Sequence, residues 1–419
     1  MTRLLLLALL PGAALAAVIG HNTPAPALSA ARIAELPAAQ RLAWQAYLDR
    51  SERQMALDRA TLARELKAGD AVPPPPIAGK MNAPLDREPG WYASAEAARI
   101  AATILSFQTP SGGWSKNQDR RGPPRLPGQR YANNAETMTV GTGSFDEPRD
   151  RFWTFVGTLD NDATHSEIRF LARVNEQRAD DACRAAILRG IGYLLMAQTP
   201  NGGWPQNYPL EGGFHDGITF NDDAVAEAAR LLQDVADGAP GFAFVPEPLR
   251  RQARAAAQRA VELLLAAQVK VGGRLTIWPQ QADALTLAPI SARNYEPPGL
   301  ASAESAGVLL FLMQQRRPTP AMKAAVEAGI AWLQAQALRD HAFTMTPDGR
   351  QLISQPGAGP LWARVYDVAT GRPVFGDWGK TIHDDVNEIS KGRRNGYTWW
   401  GTWPQKALDA YPRWKAANP

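Results

Sequence analysis

The chain has 419 residues, with 45 Lys or Arg against 41 Asp or Glu and a formal net charge of +4. Its 45% hydrophobic content is enough for a sizeable core, and without a long Lys/Arg run it has no track for a phosphate backbone, so no nucleic-acid partner is expected. A single cysteine, Cys183, excludes an intrachain disulfide.

In chain order, Arg3 precedes the apolar run from Leu4 to Leu10, and Ala14-Leu15-Ala16 is a small-x-small cleavage site. This predicts a signal peptide over 1–16 and secretion to the periplasm or the cell exterior, with a mature start near Ala17. The run is too short to span a bilayer, and no later segment is apolar enough, so no membrane span is expected. From Ser29 to Leu66 apolar residues recur at three and four spacing, which predicts helix. Pro73 to Pro76 cannot continue it. Residues 17–79 therefore read as a helical appendage with a Pro-rich linker, and 80–419 as the working domain, expected to be monomeric.

Within that domain the periodicity predicts helices over 94–108, 165–176, 179–198, 222–237, 248–268, 301–314 and 320–337, joined by long Gly- and Pro-rich loops. Cys183 falls in the third and reads as a small core residue.

An internal repeat organises the helices. Gln108-Thr109-Pro110-Ser111-Gly112-Gly113-Trp114-Ser115-Lys116-Asn117 matches Gln198-Thr199-Pro200-Asn201-Gly202-Gly203-Trp204-Pro205-Gln206-Asn207, and Gln268 to Gln280 is a degenerate third copy. Proline stops the helix, Gly-Gly supplies left-handed turn geometry, and tryptophan folds back over the helix end. Repetition of such a unit predicts an all-α fold, a ring of helical hairpins or (α/α) toroid, with ligands bound on the loops at one mouth.

Four constellations carry candidate chemistry. Thr158 to Glu167 contains Asp160, Asn161 and Asp162 ahead of a Thr164/Glu167 capping box. Asn221-Asp222-Asp223 opens another helix. Each has more carboxylates than a cap requires, and oxygen-rich groups of this kind suit a hard cation such as calcium. Arg293 lies on the loop Ser291 to Pro298. The last run interleaves strand-like pieces, cations and aromatics: Trp362 to Asp367, Gly376 to Lys380, and Glu388 to Trp400. Solvated surface explains the charge there; a groove for a charged sugar chain explains the aromatics as well.

Taken together and in order, these motifs resemble the all-α pectate lyases of polysaccharide lyase family ten. The resemblance runs from about Trp91 to the C-terminus. It is carried by the GGW loops, Asp160-Asn161-Asp162-Ala163-Thr164, Thr219 to Ala224, Ala292-Arg293-Asn294-Tyr295-Glu296, Trp362-Ala363-Arg364 with Tyr366-Asp367, and Arg393-Arg394-Asn395-Gly396-Tyr397. It implies an (α/α) toroid whose long loops and few short strands form the active cleft, polygalacturonate as substrate, calcium as cofactor and cleavage by β-elimination. Carried over, Asp160 binds calcium with Asp222 or Asp223 nearby, and Asp162 is a further candidate ligand. Arg293 is the base and Arg364 holds a substrate carboxylate. Lys116, Lys380, Arg393, Arg394 and Tyr397 are the remaining substrate-binding candidates. The pattern departs at Trp378, where the family has a further arginine.

Elimination from a uronate needs positive charge beside the carboxylate while the C5 proton leaves. An arginine base also needs neighbouring cations and desolvation to lose its proton, which predicts an alkaline optimum. A hydrolase with two opposed carboxylates and a non-catalytic glycan binder remain as alternatives, distinguished by saturated products or by none. A terpene-cyclase-like toroid is disfavoured by the signal peptide and by the lack of an Asp-x-Asp-Asp motif.

Overall fold

The computed structural model describes residues 17–79, 83–133, 143–147, 150 and 153–419. The expected signal peptide lies outside the described residues. The long N-terminal helix is two, because Pro37 separates α1 (Ala30–Ala34) from α2 (Ala38–Ala63). Then follow α3 (Ala95–Ser106), α4 (His165–Gln177), α5 (Asp181–Ala197), α6 (Ala224–Asp237), α7 (Glu247–Ala267), α8 (Ser302–Met313) and α9 (Pro320–Ala335). Each of α3 to α9 starts and stops within a few residues of its expected bounds. Two helices were not anticipated: α10 (Lys391–Gly396) and α11 (Pro404–Ala417), the latter opened by a proline at its first position.

The helices pair as hairpins α4–α5, α6–α7 and α8–α9. In one layer α4 packs on α6 and α6 on α8; in the other α3 packs on α5, α5 on α7 and α7 on α9, while α11 joins α8 and α9. This is the all-α toroid expected from the repeat. Its core lies between the layers and is closed by the fully buried Trp114, Trp204, Trp278 and Trp362.

The repeat has a concrete physical role. Trp114 Nε1 donates to Ile104 O at 2.7 Å, Trp204 Nε1 to Leu194 O at 2.8 Å and Trp278 Nε1 to Leu264 O at 2.6 Å. Each indole thus adds a donor to a carbonyl in the last turn of the preceding helix; Ile104 O and Leu194 O also accept the Phe107 and Gln198 N–H, each at 3.2 Å. Trp362 does the same for Leu333 at 2.7 Å. The glutamines link neighbouring units. Gln108, Gln198 and Gln268 donate to Ala186 O, Ala256 O and Ala325 O at 2.9, 2.8 and 2.9 Å. Gly112 (φ 102°) and Gly202 (φ 98°) are required twice over, because a Cβ would also lie 2.5 and 2.4 Å from Arg189 O and Arg259 O.

Among the described residues the strands are short and mostly pair across loops. The longest pair is a hairpin, His341–Thr346 with Gly349–Ser354, in register Phe343 to Leu352. A three-stranded sheet sets Thr381–His383 between Phe375–Gly376 and the N-terminal Gly20–His21, with Gly20 opposite Ile382. The N-terminal segment is packed into the body. Trp44 and Tyr47 belong to the main core, and the Tyr47 hydroxyl donates to Ala197 O at 3.0 Å. The Pro-rich stretch Pro73 to Pro76 forms neither helix nor strand, and Ala78 after it is bridged to Gln118.

Candidate active site

Three loops that precede α4, α6 and α8 meet on one side of the toroid, joined by the C-terminal loops. Asp160–Asp162 and Asn221–Asp223 are matching short 3-10 turns. Asn161 (φ 51°), Asp162 (60°), Asp222 (52°) and Asp223 (57°) all adopt left-handed backbone, which Asn and Asp tolerate better than other residues with a Cβ. In the first turn the Glu167 carboxylate accepts the Thr164 N–H at 2.6 Å, the expected capping-box contact. The Thr164 hydroxyl accepts the Trp114 N–H at 3.0 Å and donates to Thr158 O at 2.7 Å, locking the turn to the first GGW loop.

These turns bring two carboxylates together, Asp160 buried and Asp222 half-buried. Asp160 and Asp222 hydrogen-bond each other; burial, then this bond and the Asp160 charge, push Asp222 up to about 7. Burial also opposes ionisation of Asp160, but the Lys116 ammonium, the Asp222 bond and Arg293 outweigh it and hold Asp160 well below the usual carboxylate range. Lys116 Nζ pairs with Asp160 and lies 3.6 Å from the Phe155 ring centroid. Asp222 also accepts from Asn161 N at 3.0 Å and Asn221 Nδ2 at 2.9 Å. Two acids held this close favour a shared proton or a hard cation between them. Among the described residues no three His, Cys, Asp or Glu side chains converge as a ready-made metal cage.

From Asp222 the network continues to the arginines. Asn221 Oδ1 accepts Arg364 Nη2 at 3.2 Å and Gln280 Nε2 at 3.3 Å. Arg364 is pinned by Glu304 at 2.7 Å and lies 4.9 Å from the Tyr397 ring centroid. The Tyr397 hydroxyl donates to Glu296 Oε1 at 2.8 Å, and Gln280 Nε2 to the same oxygen at 3.2 Å. Glu296 in turn faces Arg293, whose Nη1 lies 3.6 Å from Oε1 and 3.1 Å from the Tyr295 hydroxyl. Asp146 stands 3.9 Å from Arg293 Nε and 3.6 Å from His215 Nε2.

The electrostatics around Arg293 reverse a sequence-based expectation. Its neighbours are anions. Glu296 raises its pKa, burial opposes, and Tyr295, Asp146 and Asp160 add to the rise, so the guanidinium is held far above its ordinary range. Burial disfavours the charge on Arg364 too, but Glu304, Tyr397 and Glu296 prevail and raise it.

Lys116, Asp160, Asp222, Arg293, Arg364 and Tyr397 therefore share one network. Among the described residues the other candidates make no hydrogen bond to it that involves their own side chains, though Arg393 stacks on its tyrosines. Asp162 turns to His165 Nε2 at 3.3 Å. Asp223 packs on α8, where a Cβ on Gly307 would lie 1.7 Å from its Oδ1; the partner of Asp160 is Asp222. Lys380 Nζ donates to Gly143 O at 2.7 Å, at the edge of the segment that meets Asn294. Arg393, only 3% exposed, has no ion pair among the described residues and stacks 3.8 Å from Tyr295, 4.5 Å from Trp378 and 5.3 Å from Tyr397. Arg394 belongs to the scaffold. Its guanidinium donates to Arg350 O, Asn387 O, Ile389 O and Asp348 O at 2.9, 2.9, 2.6 and 2.9 Å. Trp378, at the departure from the family pattern, is 57% exposed beside Tyr295.

Sequence reasoning missed Glu304, Gln280 and Asp146 as members of the network. Gln280 ends the third repeat copy, which is the one signal that pointed to it. Glu296 and Tyr295 lay inside a quoted motif but had no assigned role.

A family model described as pectic acid lyase matches residues 108–408. Among solved structures, the family 10 polysaccharide lyase from Cellvibrio cellulosa is 30% identical, with a TM-score of 0.66, covering 78% of this chain and 95% of that one. A mutant of that enzyme in complex with trigalacturonic acid matches with the same values. No curated protein sequence matches.

Proposed function

Because this chain belongs to the pectic acid lyase family, we propose that it cleaves polygalacturonate by calcium-assisted β-elimination at the site built around Asp160, Asp222, Arg293 and Arg364. The observation that carries this reading is the unbroken polar network from the Asp160–Asp222 pair through Asn221, Gln280 and Glu296 to Arg293, with Arg364 joined to it at Asn221. It sets an acidic cation site and two fixed guanidinium groups beside one another, as a uronate chain requires.

In the reaction a base takes the C5 proton, the electron pair forms the C4–C5 double bond, and the C4–O glycosidic bond breaks with the leaving oxygen taking a proton. Asp160 and Asp222 would hold calcium, which when bound supplies positive charge for the uronate carboxylate. Arg364 is oriented by Glu304 and Tyr397 to face an anion, and Lys116 is held at the same carboxylate pair. Arg293 is the expected base. The carboxylates around it favour a second role, a fixed cation that stabilises the enolate as charge develops. Export after removal of residues 1–16, and action as a monomer, complete the proposal.

The test is near-UV absorbance of unsaturated products from polygalacturonate, with calcium and with chelator. We expect a calcium-dependent rise, reduced at least about a hundredfold by Arg293→Ala. New reducing ends without absorbance would sink the lyase reading. The role of Arg293 is read from the pH profile. A base gives a rate that keeps climbing into the alkaline range and an active Arg293→Lys enzyme with its profile moved down. A fixed cation gives a plateau unchanged by that substitution.

A further inference from the structure

The segment ahead of α1 is tied to the loop that carries Arg293. Gly20–His21 pairs with Thr381–His383, and the Asn22 N–H continues the pairing by donating to Lys380 O at 2.7 Å. This pairing carries the Asn22 side chain into the body, where the residue is 5% exposed. Its Nδ2 donates to the carbonyls of Arg293, Asn294 and Glu296, each at 3.1 Å. Beside it the Ser291 hydroxyl donates to Thr23 O at 2.5 Å.

The turn explains why a donor is needed there. Glu296 N–H bonds Arg293 O at 2.9 Å and Ala292 N–H bonds Glu296 O at 3.1 Å. This closes a tight loop whose three carbonyls face one point. Converging carbonyls repel one another, and a donor at their common point offsets that repulsion even where a carbonyl already accepts one backbone N–H. A carboxamide offers two N–H groups without adding charge, and its size fits. The other side of the same turn fixes the guanidinium. Glu296 Oε2 accepts the Arg293 N–H at 3.0 Å, and Glu296 Oε1 and the Tyr295 hydroxyl flank Arg293 Nη1. Backbone displacement at 293–296 therefore moves the reacting group directly. Residue 22 lies outside the region matched by the family model, 108–408.

We propose that Asn22 is a positioning residue for the elimination: it braces the 293–296 turn so that Arg293 meets the C5 side of the sugar. This rests on the reading that Arg293 acts in the reaction. Misplacing a reacting group by about 1 Å costs on the order of a hundredfold in rate. Arg364 and Lys116, which bind the chain, hang from other loops.

The experiment compares kcat and KM of the full mature chain on polygalacturonate for Asn22→Ala, Asn22→Asp, Arg32→Ala and Arg293→Ala, each shown folded by circular dichroism at the assay temperature. Asn22→Ala should lose about 10- to 100-fold in kcat with KM within about twofold. Asn22→Asp, equal in size but without the donor, should lose at least as much. Arg32→Ala removes the 2.8 Å ion pair to Asp283 from the same segment without touching the turn, and should keep kcat within about twofold. Should Asn22→Ala not fold, Asn22→Ser, with one donor, should show a partial kcat loss at unchanged KM. If kcat in the Asn22 variants equals that of Arg32→Ala while Arg293→Ala is inactive, the role of Asn22 is overturned by itself. An active Arg293→Ala protein overturns the reading beneath it and this proposal together.

Discussion

Arg393 and Arg394 are adjacent in sequence and differ entirely in chemistry. Arg393 has no ion pair among the described residues and is stacked among Tyr295, Trp378 and Tyr397, whose ring faces suit a buried guanidinium. Arg394 gathers four backbone carbonyls from the hairpin and from the loop before α10. Breaking such a set leaves buried acceptors unsatisfied, each costing about 1–3 kcal/mol. Arg394→Ala should therefore lower stability by about 3 kcal/mol, read as a shifted urea midpoint, while KM for polygalacturonate stays unchanged. A raised KM at unaltered stability would return Arg394 to the substrate-binding residues. From the sequence, the helical spacing of an Arg-Arg pair says only that the two side chains diverge.

At the scale of elements, the repeated GGW loop is a helix stop that also builds the site. Its tryptophans close the helices, and its tails continue into the network through Lys116 in the first copy and Gln280 in the third. In the second copy Asn207 instead meets Glu211 at 3.1 Å. Glu211 is pushed up to about 8 by burial first, with Asp216 adding to the rise. Trp204→Phe keeps the ring packing but removes the donor to Leu194 O, so it should destabilise the protein by about 1 kcal/mol in a denaturant titration. No measurable change would mean that the Gln198 N–H, which also donates to Leu194 O at 3.2 Å, satisfies that carbonyl alone. The bounds of α3 to α9 were legible because Pro, Gly-Gly and capping residues act locally. Missing α10 and α11 has a local reason too: aromatics and cations mask the helical spacing there, and Pro412 interrupts it.

At the scale of the whole molecule, α2 is docked on the toroid through a buried acid. Asp58 is fully buried, accepts from Gln54 Nε2 at 2.6 Å and meets Ser111 of the first GGW loop. Burial pushes its pKa up to about 6, against the hydrogen bonds from Gln54 and Ser111. Between about pH 4 and 6 the folded state thus binds more protons at this group than the unfolded chain, so its contribution to stability falls as pH rises through that window. Asp58→Asn removes the ionisation and keeps the acceptor. The variant should be more stable than wild type at pH 8, by on the order of 2 kcal/mol, with the difference vanishing below pH 4. Equal melting temperatures at both pH values would show that water solvates this carboxylate.

What the sequence by itself determined was what depends on local backbone and on order along the chain: the helices between Pro and Gly stops, the repeat and hence the toroid, the family, and the short list of acids, arginines and aromatics around one mouth. What only the tertiary structure decided was direction. Asp160 is met by Asp222 rather than Asp223 because two left-handed residues in succession turn those side chains apart. Arg293 is surrounded by carboxylates rather than cations because Glu296 and Asp146 reach it from its own turn and from a distant segment. Asn22 supports the loop that carries Arg293 across 271 residues of chain. Contacts over such separations depend on how packed elements aim their side chains, and no spacing in the sequence carries that information.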